Sequence, residues 1–218
     1  MQITGRANVP ARAKAVVLNI TATDTEGPGH LTVWASNSPQ PTSSNLNWTA
    51  PGATTPNLVI VPLDADGKIS LFNGAWSSTH LIADVFGYYT DDTAGSTFTA
   101  VSPDRLLDTR NAIGRDGTDK VPGRSTTTVQ ITGRANVPAR AKAVVLNITA
   151  TDTEGPGHLT VWASNSPQPT SSNLNWTAPG ATTPNLVIVP LDADGKISLF
   201  NGAWSSTHLI ADVFGYYV

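Results

Sequence analysis

Cysteine is absent from this chain. Disulfides and thiolate-bound zinc are therefore excluded. Charge is also scarce. Asp, Glu, Lys and Arg together make 13% of the residues, with a net charge of −3. A nucleic-acid partner needs clustered Lys and Arg against its phosphates, and no such cluster exists, so none is expected. An anionic membrane surface is disfavoured for the same reason. No stretch approaches the roughly 20 apolar residues of a bilayer span, so membrane insertion is not expected. The opening Met1-Gln2-Ile3-Thr4 is not a signal peptide. Nucleophile elbow, phosphate loop and dinucleotide fingerprint are all missing. No cofactor, catalytic residue or metal site is expected, and the chain reads as a non-enzyme. What is plentiful is Thr, Ser, Asn, Gly and Pro. That balance is typical of extracellular β proteins. With no disulfide, it points to a bacterial protein, secreted or on the cell surface.

The dominant feature is repetition. Gln2 through Tyr89 recur, letter for letter, as Gln130 through Tyr217. An enzyme gains little from a duplicated site, whereas an adhesin, stalk or binding array gains avidity or reach with each copy. The segment 90–129 occurs once. Within it, Thr90-Asp-Asp-Thr-Ala-Gly-Ser-Thr97 is small and polar and reads as a linker. The expected organisation is a first copy over 1–89 that lacks its N-terminal head, a linker over 90–97, and a complete unit over 98–218. The opposite assignment stays open at this level, with the head serving the first copy. Met1 stands where Val129 precedes the second copy, so Met1 reads as an added start and the natural protein as longer.

Apolar residues come in short bursts of period two, separated by turn residues. Ala15–Thr23, His30–Ala35, Ser44–Trp48, Asn57–Leu63, Lys68–Phe72 and His80–Tyr89 read as strands, with Asn57–Leu63 a buried run. The head adds two or three more. The fold class is all-β, with β-sandwich units in tandem repeat. In His30–Ala35, Leu31 and Val33 face one side, and His30, Thr32 and Trp34 the other. Trp48 shares the apolar side with Leu46 and reads as core.

Ser102-Pro-Asp-Arg-Leu-Leu-Asp-Thr-Arg110, Ala143-Val-Val-Leu-Asn-Ile-Thr-Ala-Thr151 and His208-Leu-Ile-Ala-Asp-Val-Phe-Gly-Tyr-Tyr217 carry a family resemblance. Together with Ser172–Trp176 and Pro184–Leu191, they resemble a domain of secreted actinobacterial proteins. It occurs there in tandem arrays or beside hydrolase domains. The resemblance covers 98–217, and 2–89 without the head. It implies export, modularity and a binding or structural role, and supplies neither a ligand nor a catalytic residue.

Two constellations stand out. Asp104, Asp108 and Arg110 fall on one side of the head strand and Arg105 on the other, while Asp84 and Asp212 interrupt apolar strands. An acid/base pair is one reading. The favoured one is a structural ion-pair network, in which Arg105 or Arg110 bridges Asp108 and Asp212, because charges inside apolar runs persist when paired. The second set is Trp34 and Trp76 with His30 and His80, and their equivalents Trp162, Trp204, His158 and His208. A flat ring with polar company suits a polysaccharide or glycan. Other copies of the chain are the second expected partner. Asp64-Ala-Asp-Gly67 reads as a hairpin turn rather than a calcium loop. The acceptor-like Asn19-Ile-Thr21 and Asn47-Trp-Thr49 read as coincidental.

Overall fold

A computed structural model describes all residues from Met1 to Val218. The chain is all-β, with no helix, and forms four antiparallel sheets. No helix is long and apolar enough to cross a membrane. The chain divides into two compact units, Met1–Gly95 and Ser96–Val218.

The first unit holds β1 (Ala15–Thr23), β2 (Gly29–Ala35), β3 (Leu46–Trp48), β4 (Thr55–Pro62), β5 (Ile69–Asn73) and β6 (His80–Tyr89). One sheet has the order β4-β1-β6, the other β3-β2-β5. The second unit begins with β7 (Phe98–Asp108) and β8 (Ser125–Gln130). It continues with β9 (Ala143–Thr151), β10 (Gly157–Ala163), β11 (Leu174–Trp176), β12 (Thr183–Pro190), β13 (Lys196–Asn201) and β14 (His208–Tyr217). Its sheets run β12-β9-β14-β7 and β11-β10-β13-β8. The head thus adds one strand to each sheet, β7 beside β14 and β8 beside β13.

The repeated strands keep identical registers. Ala15 pairs with Pro62 as Ala143 pairs with Pro190, and Leu18 pairs with Val85 as Leu146 pairs with Val213. Even the bulge that steps over Phe86 recurs over Phe214. Local sequence and β1 suffice to set it, since β6 pairs with β1 alone.

One apolar core lies in each unit, and each draws on both of its sheets. In the second unit it joins Leu146, Ile148, Leu209 and Val213 with Leu159, Leu174 and Leu199. Trp48 and Trp176 are both buried. The expected buried run at Asn57–Leu63 is different. Val59 and Val61 are buried, but Ile60 is 52% exposed. β4 is an edge strand facing the core on one side only, and Pro62, which cannot donate to a ladder, closes it.

Turn chemistry follows the sequence. The Asp64 carboxylate accepts from the backbone N–H groups of Asp66 and Lys68, at 2.9 and 2.7 Å. Gly67, at φ +75°, takes a conformation that L side chains resist, and Thr4 packs where a Cβ would stand. The carboxylate is consumed by its own turn.

Candidate functional site

The acidic and arginine residues of the head meet β14. Arg105 Nε donates to Asp212 at 2.8 Å and its Nη1 to Asp108 at 2.9 Å. Arg110 clasps Asp108 from the other side through Nε and Nη2, at 3.0 and 2.9 Å. Asp108 is fully buried, and Asn111 and the backbone N–H of Arg110 also donate to it. The Arg110 hydrogen bonds hold its carboxyl far below the usual carboxylate range. The bond to Asp212 raises Arg105 further above its ordinary value. Asp104 only caps the backbone N–H of Arg105.

Strict alternation would separate Arg105 from Asp108. They meet because the ladder shifts there: Leu107 pairs with Ala211, but Arg105 pairs with Asp212. The slip lets Leu106 and Leu107 both enter the core. An open cavity of about 370 Å³ lies beside this cluster, lined by Pro103, Asp104, Arg105, Asp212 and Phe214. Its floor is the Arg105–Asp212 pair, whose charges already satisfy each other.

The tryptophans separate into two kinds. Trp34 donates its indole N–H to Ser38 O at 2.9 Å, and Trp162 to Ser166 O at 3.0 Å. Each is tied back onto the turn that follows its own strand. Thr32, on the supposed polar side with Trp34, is buried and donates to Ser43 O. Trp76 and Trp204 are the opposite case, at 106% and 89% exposure. Asn201 builds the stand for Trp204: its side chain accepts from Ala203 N and donates to Ser205 O. Asn73 does the same for Trp76, with Ala75 N and Ser77 O. Leu159 pairs with Asn201 and Trp162 with Ser198, so the two kinds of indole sit at opposite ends of β10. Trp162 and Trp204 therefore share no single platform.

The corner around Trp204 includes residues outside the sequence-derived set. The Arg124 guanidinium stands over the Trp204 ring at 5.3 Å and over Phe200 at 5.1 Å. His158 leans on Phe200, its ring centroid 6.3 Å away. Gly202 makes room for this histidine, since a Cβ there would lie 2.1 Å from Nε2. Burial first, then Arg124, pushes His158 below the ordinary histidine value and favours a neutral ring. Phe200 lies in the alternating Lys196–Phe200 segment, equivalent to Lys68–Phe72, but nothing local marks it as a neighbour of Arg124. Arg124 was not legible either, because nothing in the single-copy head marks it as a neighbour of Trp204.

In the first unit the same letters stand without the head. His30 still meets Phe72 at 6.3 Å. Asp84 has neither an ion pair nor a hydrogen bond, and burial alone raises its carboxyl. His80 is exposed, while His208 shares a 2.9 Å hydrogen bond with Thr109. Of the expected network, the structure joins Arg105, Asp108, Arg110 and Asp212. It leaves Asp84 apart. Comparison with protein-family models and with curated proteins returns no match.

Proposed function

We propose that this chain is a non-catalytic binding module of an exported bacterial protein, built from tandem β-sandwich units that each offer one exposed tryptophan to a carbohydrate polymer. The observation that carries the reading is Trp76 and Trp204. Two large apolar rings stand almost fully in water at equivalent positions, each fixed by an asparagine-braced turn. A ring held rigid and exposed fits the apolar C–H face of a pyranose, and loses little side-chain freedom on binding. The Arg124 guanidinium and the His158 imidazole supply polar groups beside Trp204 for sugar hydroxyls. Two such rings on one chain would add avidity on a repeating polymer. The acidic cluster speaks for structure rather than chemistry, because each buried or half-buried carboxylate in it is engaged by an arginine.

Insoluble-polysaccharide pull-down with Trp204→Ala tests this. The ring is 89% exposed and touches only the solvent-side Arg124 guanidinium, so the melting temperature stays within about 2 °C of the parent. Retention should fall by about tenfold, the lower part of the 1–3 kcal/mol range for an interface aromatic. Unchanged retention on every polymer that the parent binds sinks the reading.

One observation favours a second reading, a structural repeat of a surface fibre. The β6 edge of the first unit is unpaired and apolar, and such edges recruit further strands. Sedimentation over a concentration series separates the two. Lengthening species without polysaccharide retention select the fibre.

A further inference from the structure

The open edges of the first unit match, residue for residue, the surfaces that the head covers in the second. Leu209 and Ile210 are 0% and 7% exposed under β7, whereas Leu81 and Ile82 are 40% and 47% exposed. Asp212 receives Arg105, while Asp84 receives nothing and its carboxyl is pushed up by burial. Asn201 donates to the carbonyls of Val121 and Pro122 in the head. Asn73 has only its own turn. Glu154 pairs with Lys120 of the head, and Glu26 has no such lysine. No residue of β6 is among the buried members of the first core. These are the same residues, in the same registers, with the same bulge.

Chain connectivity allows the head to reach either copy. In the second unit, Thr97 and Val218 exchange backbone hydrogen bonds, and Phe98 pairs with Tyr217. Thr90 occupies the position equivalent to Val218, and Tyr89 that of Tyr217. The same register on the first unit would place Thr97 opposite Thr90 and Phe98 opposite Tyr89. Residues 91–96 would then close an ordinary antiparallel hairpin. At the other end, β8 brings Val129 opposite Ile197. In the first unit the Ile69 N–H donates to the Met1 carbonyl, and Gln2 bridges Lys68. Only Met1 must give way for Val129.

We propose that the β6 and β5 edges of the first unit are a second docking site for the segment Phe98–Val129 of the same chain, and that the two identical units share this one head. Both end states are already visible: the second unit is the headed form and the first unit the headless one. Moving the head exchanges the two forms and conserves its strand pairings and side-chain partners by type, so those contact energies cancel. What remains is loop closure over 91–96 and strain at Val129–Gln130, where no spare residue separates head from second unit. Arg124 travels with the head, and the ring it backs changes from Trp204 to Trp76. The proposal rests on the sheet edges, so failure of polysaccharide binding leaves it standing.

The lack of native cysteine makes engineered pairs clean reporters. Thr99 pairs with Tyr216, whose equivalent is Tyr88. Thr99→Cys with Tyr216→Cys reports the head on the second unit, and Thr99→Cys with Tyr88→Cys reports it on the first. Both are brought to equilibrium in a glutathione buffer, so that closure reads population rather than trapping. The expected result is intrachain closure of both pairs, with effective concentrations within about a hundredfold. Closure of the Tyr88 pair weaker than that, or only between chains, overturns the proposal. A second variant does not depend on disulfides. Asp212→Arg repels Arg105 from the second unit and leaves Asp84 intact. The substituted peptide also differs in mass from its otherwise identical counterpart over β6. Amide exchange over His80–Tyr89 should slow at least tenfold in this variant. Exchange as fast as in the parent, with a released head, overturns the proposal.

Discussion

At the residue scale, two aspartates with opposite environments predict opposite responses to pH. Asp108 is buried and clasped by two arginines, and its folded pKa is depressed. Its contribution is present above the unfolded value of about 3.9 and is lost as pH falls below it. Asp84 is half-buried without a partner, and its folded pKa is raised. Its contribution runs the other way: it is present below about 3.9 and lost as pH rises through the elevated folded value. Mild acidification from neutral pH should therefore first favour the first unit, and stronger acid should then weaken the second. Site-resolved amide exchange from pH 7 to pH 3 checks the order. Asp84→Asn should abolish the acid gain of the first unit. Asp108→Asn should cost the second unit about 3 kcal/mol in a urea titration, because it leaves Arg110 without its anion and Arg105 with Asp212 alone.

At the element scale, one substitution made in two places isolates the effect of the head. Leu81 and Leu209 sit in strands of identical sequence, yet Leu209 is 0% exposed and Leu81 40%. Leu209→Ala should cost about 3 kcal/mol, since it empties a site in a closed core. Leu81→Ala should cost less than about 1 kcal/mol, because the side chain is already half in water. Equal costs would mean that the first unit has its edge covered in solution. Much of this level was legible in the sequence. Short apolar bursts marked β1 through β6, continuous at Ala15–Thr23 and Asn57–Leu63 and alternating at His30–Ala35, Ser44–Trp48 and Lys68–Phe72, and Asp-Gly and Asn-Gly marked two of their turns. Two details were not. The slip at Leu106 depends on pairing with a strand far along the chain. The exposure of Ile60 depends on β4 lying at an edge, which no local pattern states.

At the scale of the whole molecule, two units of the same letters should not share one stability. The second has four strands in each sheet, and the first has three. Its larger core includes residues from all of its sheets' strands, among them Leu107 of β7 and Val129 of β8. Calorimetry should show two transitions, the lower belonging to the first unit, with the upper one lost when residues 98–129 are deleted. A single transition whose calorimetric and van't Hoff enthalpies agree would mean that the units melt as one.

The sequence by itself determined the strands, the repeat and the turns, because period-two patterning and Asp, Asn and Gly chemistry act over a few residues. It also marked Asp108, Asp212, Arg105 and Arg110 as partners, because burying a charge in an apolar strand is costly without one, as the raised carboxyl of Asp84 shows. Tertiary structure alone decided which arginine serves which aspartate, which tryptophan stands in water and where the single head lies. Those outcomes depend on pairings between distant segments. Two copies with the same letters offer the head the same partners, so local chemistry gives it no preference.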